Sequence, residues 1–71
     1  MKTYRFTIDG TDADGQSWQC VGVVTCEWID VSREATKIAF QDLTQGKAIY
    51  GNPGKGCRGP YNIEYMEVIQ I

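Results

Sequence analysis

The chain has 71 residues, 42% hydrophobic content and eight aromatic side chains, a composition that predicts one folded domain spanning residues 1–71. Its formal net charge is −2, so the overall charge gives no support for nucleic-acid binding. No apolar run approaches the roughly 20 residues that span a bilayer, and residues 1–6 lack a signal peptide's apolar core. We therefore expect a cytoplasmic protein without a membrane partner.

The residue types also exclude several chemistries. Histidine is absent, which removes the commonest general base and the commonest metal ligand. If residues 20–26 form one strand, the α-carbons of Cys20 and Cys26 lie roughly 20 Å apart, too far for a disulfide. Either could pair with Cys57, but a cytosolic location favours free thiols. We expect no cofactor, no metal site and no enzymatic activity.

Residues 3–9 and 17–28 alternate between apolar and polar side chains, which predicts two half-buried antiparallel strands. Trp18, Cys20 and Trp28 lie on the apolar face of the second strand, whereas Val21 and Val23 lie on the outer face. The predicted register places three pairs opposite one another: Ile8 and Trp18, Phe6 and Cys20, Tyr4 and Gly22.

The segment between these strands, Asp12-Ala13-Asp14-Gly15, is similar to the centre of a calcium-binding loop. Aligning Gly15 with the invariant glycine of such a loop puts Gly10 and Val21 at two essential ligand positions. Neither residue can supply the required carboxylate, so the pattern indicates an ordinary turn rich in Asp and Gly.

Residues 30–32 are predicted to open a helix of about 13–14 residues, with Ser32 as the N-cap and Gly46 as the stop signal. An apolar stripe runs along this helix at the spacing i, i+3, i+4 and i+8, with Phe40 beside it. The stripe consists of Ala35, Ile38, Ala39 and Leu43.

Residues 47–50 are a candidate short strand, and residues 61–71 are predicted to form the last strand. On the last strand, alternation places Ile63, Tyr65 and Ile69 on one face and Met66 and Val68 on the other. Glu67 interrupts the apolar pattern, which suggests a bulge near Met66 or a projecting strand end. The order β-β-α-(β)-β predicts an α+β fold, a small antiparallel sheet of three to four strands with one helix on one face.

Residues 51–60 form a segment with four glycines, two prolines, Lys55 and Arg58. Its letters match G-x-G-x-x-G, but a proline and a strand follow where the dinucleotide fold requires a helix, so we reject that reading. Residues 46–60 contain three bases and no acid, and a tyrosine lies at each end of the glycine-rich segment. The candidate partner-binding residues are Tyr50, Lys55, Arg58, Tyr61 and Lys47.

Three functional hypotheses follow. The favoured one is a small non-enzymatic binding protein that docks on a protein or a protein–nucleic-acid complex. In architecture, a single sheet with one helix, slight acidity and a length near 70 resembles the small proteins with which phages inhibit host machinery, anti-CRISPR proteins among them. That resemblance implies an inhibitor of host machinery and assigns no residue a role.

The alternative is an anion- or nucleic-acid-binding module, in which the amides of residues 51–60 act with the basic side chains. The third hypothesis, an enzyme with Cys57 as nucleophile, lacks a general base. A homodimer through a free sheet edge is left open.

Overall fold

The computed structural model describes residues 1–45 and 60–71. In that part of the chain the elements are β1 (Lys2–Thr11), β2 (Ser17–Cys26), a 3-10 turn (Trp28–Asp30), α1 (Val31–Thr44) and β3 (Asn62–Gln70). The sheet order is β2-β1-β3 with both pairs antiparallel, and α1 packs on one face. The predicted α+β class is confirmed. The candidate strand at residues 47–50 lies outside the described residues.

The β1–β2 hairpin has the predicted faces but not the predicted register. Phe6 pairs with Gly22 and Ile8 pairs with Cys20, so the prediction was wrong by two residues. A shift of two leaves every side chain on the same face, and for that reason alternation alone cannot detect it. The register follows from the length of β1, which continues to Thr11 and leaves only residues 12–16 for the turn.

The turn is organised by the Asp12 carboxylate, which is buried. Its Oδ1 accepts hydrogen bonds from the backbone N–H groups of Asp14, at 2.9 Å, and Gln16, at 2.8 Å. Gly15 adopts a φ of 81°, a conformation that favours glycine. The turn interpretation is confirmed, and the Asp12 oxygen that a cation would need is engaged by the backbone.

Helix α1 packs the predicted stripe against the sheet, and Ile38 is its one partly buried member. Ala35, Ala39 and Leu43 are each fully buried. The predicted N-cap was wrong: α1 begins at Val31, with Asp30 at the N-cap position and no side-chain capping bond. The helix begins early because the 3-10 turn runs directly into it and Val31 is buried in the core. Gly46, the predicted stop, lies outside the described residues.

The core lies between α1 and the helix-facing side of the sheet, whose buried side chains come mainly from β1 and β2. Burying an apolar side chain of this size contributes roughly 1.5–3 kcal/mol, and so thin a layer supports only a modest net stability. The largest fully buried side chains are Trp18, Phe6, Ile8 and Leu43.

A bulge in β3 changes which side chains face the helix. Asp9 pairs with Tyr65 while Gly10 pairs with Ile63, so Glu64 is one residue extra on β3. The extra residue reverses the alternation after it. Met66 and Val68 therefore share the helix-facing side with Ile63, and Tyr65 and Ile69 face outward. The predicted faces of this strand were wrong after residue 63, and the bulge lies two residues before the predicted position.

Candidate docking cleft

Four of the five predicted partner-binding residues, Lys47, Tyr50, Lys55 and Arg58, lie outside the described residues. Tyr61 is described, and it is half-buried rather than fully exposed. Its ring centroid lies 5.2 Å from that of Phe40 and 6.5 Å from that of Trp18. Tyr61 therefore helps to pack α1 against the start of β3, and its role in partner binding stays a prediction.

The 3-10 turn that joins β2 to α1 exposes two adjacent large apolar side chains. Trp28 is 66% exposed and Ile29 is 87% exposed. Trp28 was expected to continue the buried face of β2, but β2 ends at Cys26 and the turn carries Trp28 away from the core. One side of the Trp28 ring rests on buried Tyr4, with 5.5 Å between ring centroids.

A cleft of about 620 Å³ lies between this turn and β3. It is formed because α1 packs mainly on β2 and part of β1, which leaves most of β3 uncovered. Among the described residues, the helix-facing side chains of β3 are therefore only half-buried. We call this surface the docking cleft, lined by Trp28, Ile29, Val31, Ser32, Met66 and Val68.

Two carboxylates flank the exposed turn in the chain. Glu27 lies 3.3 Å from the N-terminal amino group of Met1, and Asp30 lies 3.1 Å from the Arg33 guanidinium. Burial raises the pKa of the neighbouring Cys26 thiol, and the negative charges of Asp30, Glu34 and Glu27 raise that pKa further. The Arg33 guanidinium lowers the same pKa, so it offsets part of the effect of the carboxylates.

The outer face of the sheet also exposes apolar side chains. Val21, Val23, Tyr65 and Ile69 are exposed there, as the outward position of the two valines predicted. Unlike the docking cleft, this face also carries polar pairs, including a 2.8 Å hydrogen bond from Gln19 Nε2 to Asp9 Oδ1. Scattered apolar groups among polar ones are ordinary surface for a sheet with one solvated side.

Sequence reasoning missed the docking cleft, although one local signal was present. Trp28 and Ile29 are consecutive, which breaks the alternation of β2, and charged Glu27 and Asp30 flank them. A break in alternation between charged residues indicates the end of a strand. This signal places the end of β2 before Trp28, so Trp28 does not belong to the buried face of that strand.

Two further features are absent from residues 1–45 and 60–71. No helix there has the length and apolarity needed to span a bilayer. No group of three or more His, Cys, Asp or Glu side chains there is placed to hold a metal ion. Comparison with models of known families, with curated proteins and with solved structures found no match to this chain.

Proposed function

We propose that this protein is a small non-enzymatic binding protein that docks on another macromolecule through the docking cleft. The observation that carries the proposal is the exposure of Trp28 and Ile29 side by side at the edge of an apolar cleft. Tryptophan is enriched among the residues that dominate binding energy at protein interfaces. An exposed tryptophan fixed on one side by a buried tyrosine is already ordered, so little conformational entropy is lost on binding.

The architectural resemblance to phage inhibitors, anti-CRISPR proteins among them, supports a component of host machinery as the target. The glycine-rich segment supplies a second set of candidate contacts, with Lys47, Tyr50, Lys55 and Arg58 acting beside Tyr61. These contacts stay predictions from the sequence, and the experiment below tests them separately from the docking cleft.

The proposal is tested by affinity capture from a host extract, with the full-length tagged protein and three pairs of substitutions. Trp28→Ser with Ile29→Ser removes the apolar turn, and Lys55→Ala with Arg58→Ala removes two basic groups of the glycine-rich segment. Val21→Ser with Val23→Ser is the control on the opposite sheet face. We expect the same captured macromolecule with wild type and control, and its loss with the Trp28 and Ile29 variant.

If capture depends on Lys55 and Arg58 alone, the contact surface is the glycine-rich segment instead of the docking cleft. Capture of nucleic acid with that same dependence supports the anion- or nucleic-acid-binding alternative. The described residues carry nine acidic and four basic side chains, a net side-chain charge of −5, which disfavours phosphate binding outside residues 46–59. Capture that no substitution changes contradicts both surfaces.

A further inference from the structure

We infer that the partner segment in the docking cleft is a positively charged stretch of protein with a large apolar side chain at its centre. This inference rests on the proposed function and adds the chemistry of the partner. It combines the apolar lining of the cleft with the two carboxylates that flank the exposed turn in the chain.

The apolar part of the argument concerns size and lining. A volume of about 620 Å³ lies within the range of roughly 300–1,000 Å³ that is typical of binding pockets. Met66 and Val68 form one wall, and Trp28 and Val31 form part of the other. Since the wall residues carry no charged group, the cleft favours an aromatic or large aliphatic side chain over a polar one.

The charged part of the argument concerns the turn itself. Glu27 and Asp30 bracket Trp28 and Ile29 in the chain, so a segment that covers the two apolar side chains passes beside two carboxylates. Both carboxylates already form ion pairs, Glu27 with the terminal amine and Asp30 with Arg33. These pairs are exposed, and exposed ion pairs contribute little, so a lysine or arginine of the partner can replace them.

The sign of the surrounding charge favours one class of occupant. The whole chain has a formal net charge of −2. A second copy of this chain brings the same sign, and a nucleic-acid backbone is also negative, so both are repelled at long range. A basic protein segment is instead attracted, which raises its association rate and suppresses acidic competitors.

The test uses short random peptides displayed on phage, selected against immobilised full-length wild-type protein. We expect the enriched peptides to carry lysine or arginine on both sides of an aromatic or large aliphatic residue. A synthetic copy of one enriched peptide is then titrated by fluorescence anisotropy. Its Kd should rise by about tenfold or more between about 50 mM and about 500 mM salt, since exposed charges are screened over that range.

Two variants separate the apolar and the charged contributions. Trp28→Ser should raise the Kd of the peptide by about thirtyfold, the effect of losing a strong interface anchor. Glu27→Gln with Asp30→Asn should raise that Kd by about tenfold. The Asp30→Asn change keeps a residue type that suits the N-cap position. The matched control, Val21→Ser with Val23→Ser, should bind the peptide as wild type does.

The outcomes distinguish this inference from the proposed function. Binding that requires Trp28 but is indifferent to salt and to both carboxylates overturns the basic partner and leaves the docking function standing. Enrichment of acidic or uncharged peptides, or no enrichment over the Trp28 variant, also overturns it. Binding unaffected by Trp28→Ser removes the docking cleft as the site. A concentration-dependent dimer in sedimentation, abolished by Trp28→Ser, assigns the cleft to a second copy and overturns the inference.

Discussion

The ring of Phe6 occupies the space above Gly22 that any other residue would need for its side chain. A Cβ placed at Gly22 would lie 2.7 Å from Cζ of Phe6, and Phe6 is among the most buried side chains of the core. The two residues are paired across β1 and β2. We predict that Gly22→Ala lowers the free energy of unfolding by about 1–3 kcal/mol, as overpacking of a core does.

Urea unfolding followed by circular dichroism measures this loss. Phe6→Leu replaces the ring that causes the clash with a shorter side chain. Gly22→Ala should therefore lower the free energy of unfolding less in a Phe6→Leu background than in wild type. Equal costs in both backgrounds would show that the two side chains do not share this space.

Gly10 is more constrained than Gly22, because backbone as well as side chain surrounds it. A Cβ at Gly10 would overlap the carbonyl oxygen of Asn62 and lie 2.5 Å from Cζ2 of Trp18. A backbone carbonyl cannot move without disturbing the pairing of β1 with β3. We predict that Gly10→Ala destabilises more than Gly22→Ala, by about 3 kcal/mol or enough to unfold this small domain.

Thermal melts of the two alanine variants rank the two sites. Each kcal/mol corresponds to a shift of about 4–8 °C for a domain of this size. A Gly10→Ala melting temperature equal to or above that of Gly22→Ala contradicts the predicted order.

These two glycines show how far the sequence determines the sheet. Alternation places Phe6 and Ile8 on the helix-facing side correctly, because that assignment depends only on a period of two. It cannot choose between registers that differ by two residues, so it assigned Gly22 to Tyr4 instead of Phe6. Only the length of the turn decides between them, and the extension of β1 to Thr11 sets that length.

The docking cleft was beyond sequence reasoning for a related reason. It depends on where β2 stops and on the bulge at Glu64, which together place Trp28 opposite Met66 and Val68. Each leaves only a small trace in the apolar pattern, the consecutive Trp28 and Ile29 and the interruption at Glu67, and neither trace gives the position of the feature. The helix stripe was predicted correctly because Ala35, Ala39 and Leu43 need only helical periodicity to share a face.

The Asp12 carboxylate should be a major contributor to the stability of the turn. Its Oδ1 accepts two backbone hydrogen bonds and the residue is only 8% exposed. We predict that Asp12→Ala costs about 1–3 kcal/mol because two N–H groups lose their acceptor. Asp12→Asn retains an oxygen in the same place and should cost less than half as much, as urea unfolding will measure. Equal losses in the two variants would contradict a role for the oxygen.

The thiols of Cys20 and Cys26 should be poorly reactive in the native protein. Both are buried, and the pKa of Cys26 is raised by burial and then by Asp30, Glu34 and Glu27, with a smaller lowering by Arg33. A raised pKa means less thiolate at neutral pH, so alkylation by iodoacetamide should be slower than in the unfolded chain. Peptide mapping by mass spectrometry measures each site, and Asp30→Asn should speed alkylation of Cys26 relative to Cys20.

The same shift predicts a pH dependence of stability. The fold favours the neutral Cys26 thiol, so the contribution of this group to the free energy of unfolding falls once pH rises through the unfolded thiol's pKa, about 8.5. Cys26→Ala should remove part of that decline. If the free energy of unfolding declines by the same amount with rising pH in Cys26→Ala, other groups cause the loss of stability at alkaline pH.

The two tryptophans should differ in their response to quenchers, and the difference reports the charge around the docking cleft. Trp18 is 1% exposed whereas Trp28 is 66% exposed. In Trp18→Phe, acrylamide should therefore quench the remaining fluorescence several-fold more strongly than in Trp28→Phe.

Charged quenchers report the potential at the cleft. Because Glu27 and Asp30 lie close to Trp28 in the chain, caesium ions should quench Trp28 more efficiently than they quench free tryptophan, and iodide should quench Trp28 less efficiently than it quenches free tryptophan. High salt should abolish that discrimination. If iodide quenches Trp28 as well as it quenches free tryptophan at low salt, the carboxylates set no negative potential at the cleft and cannot select a basic partner.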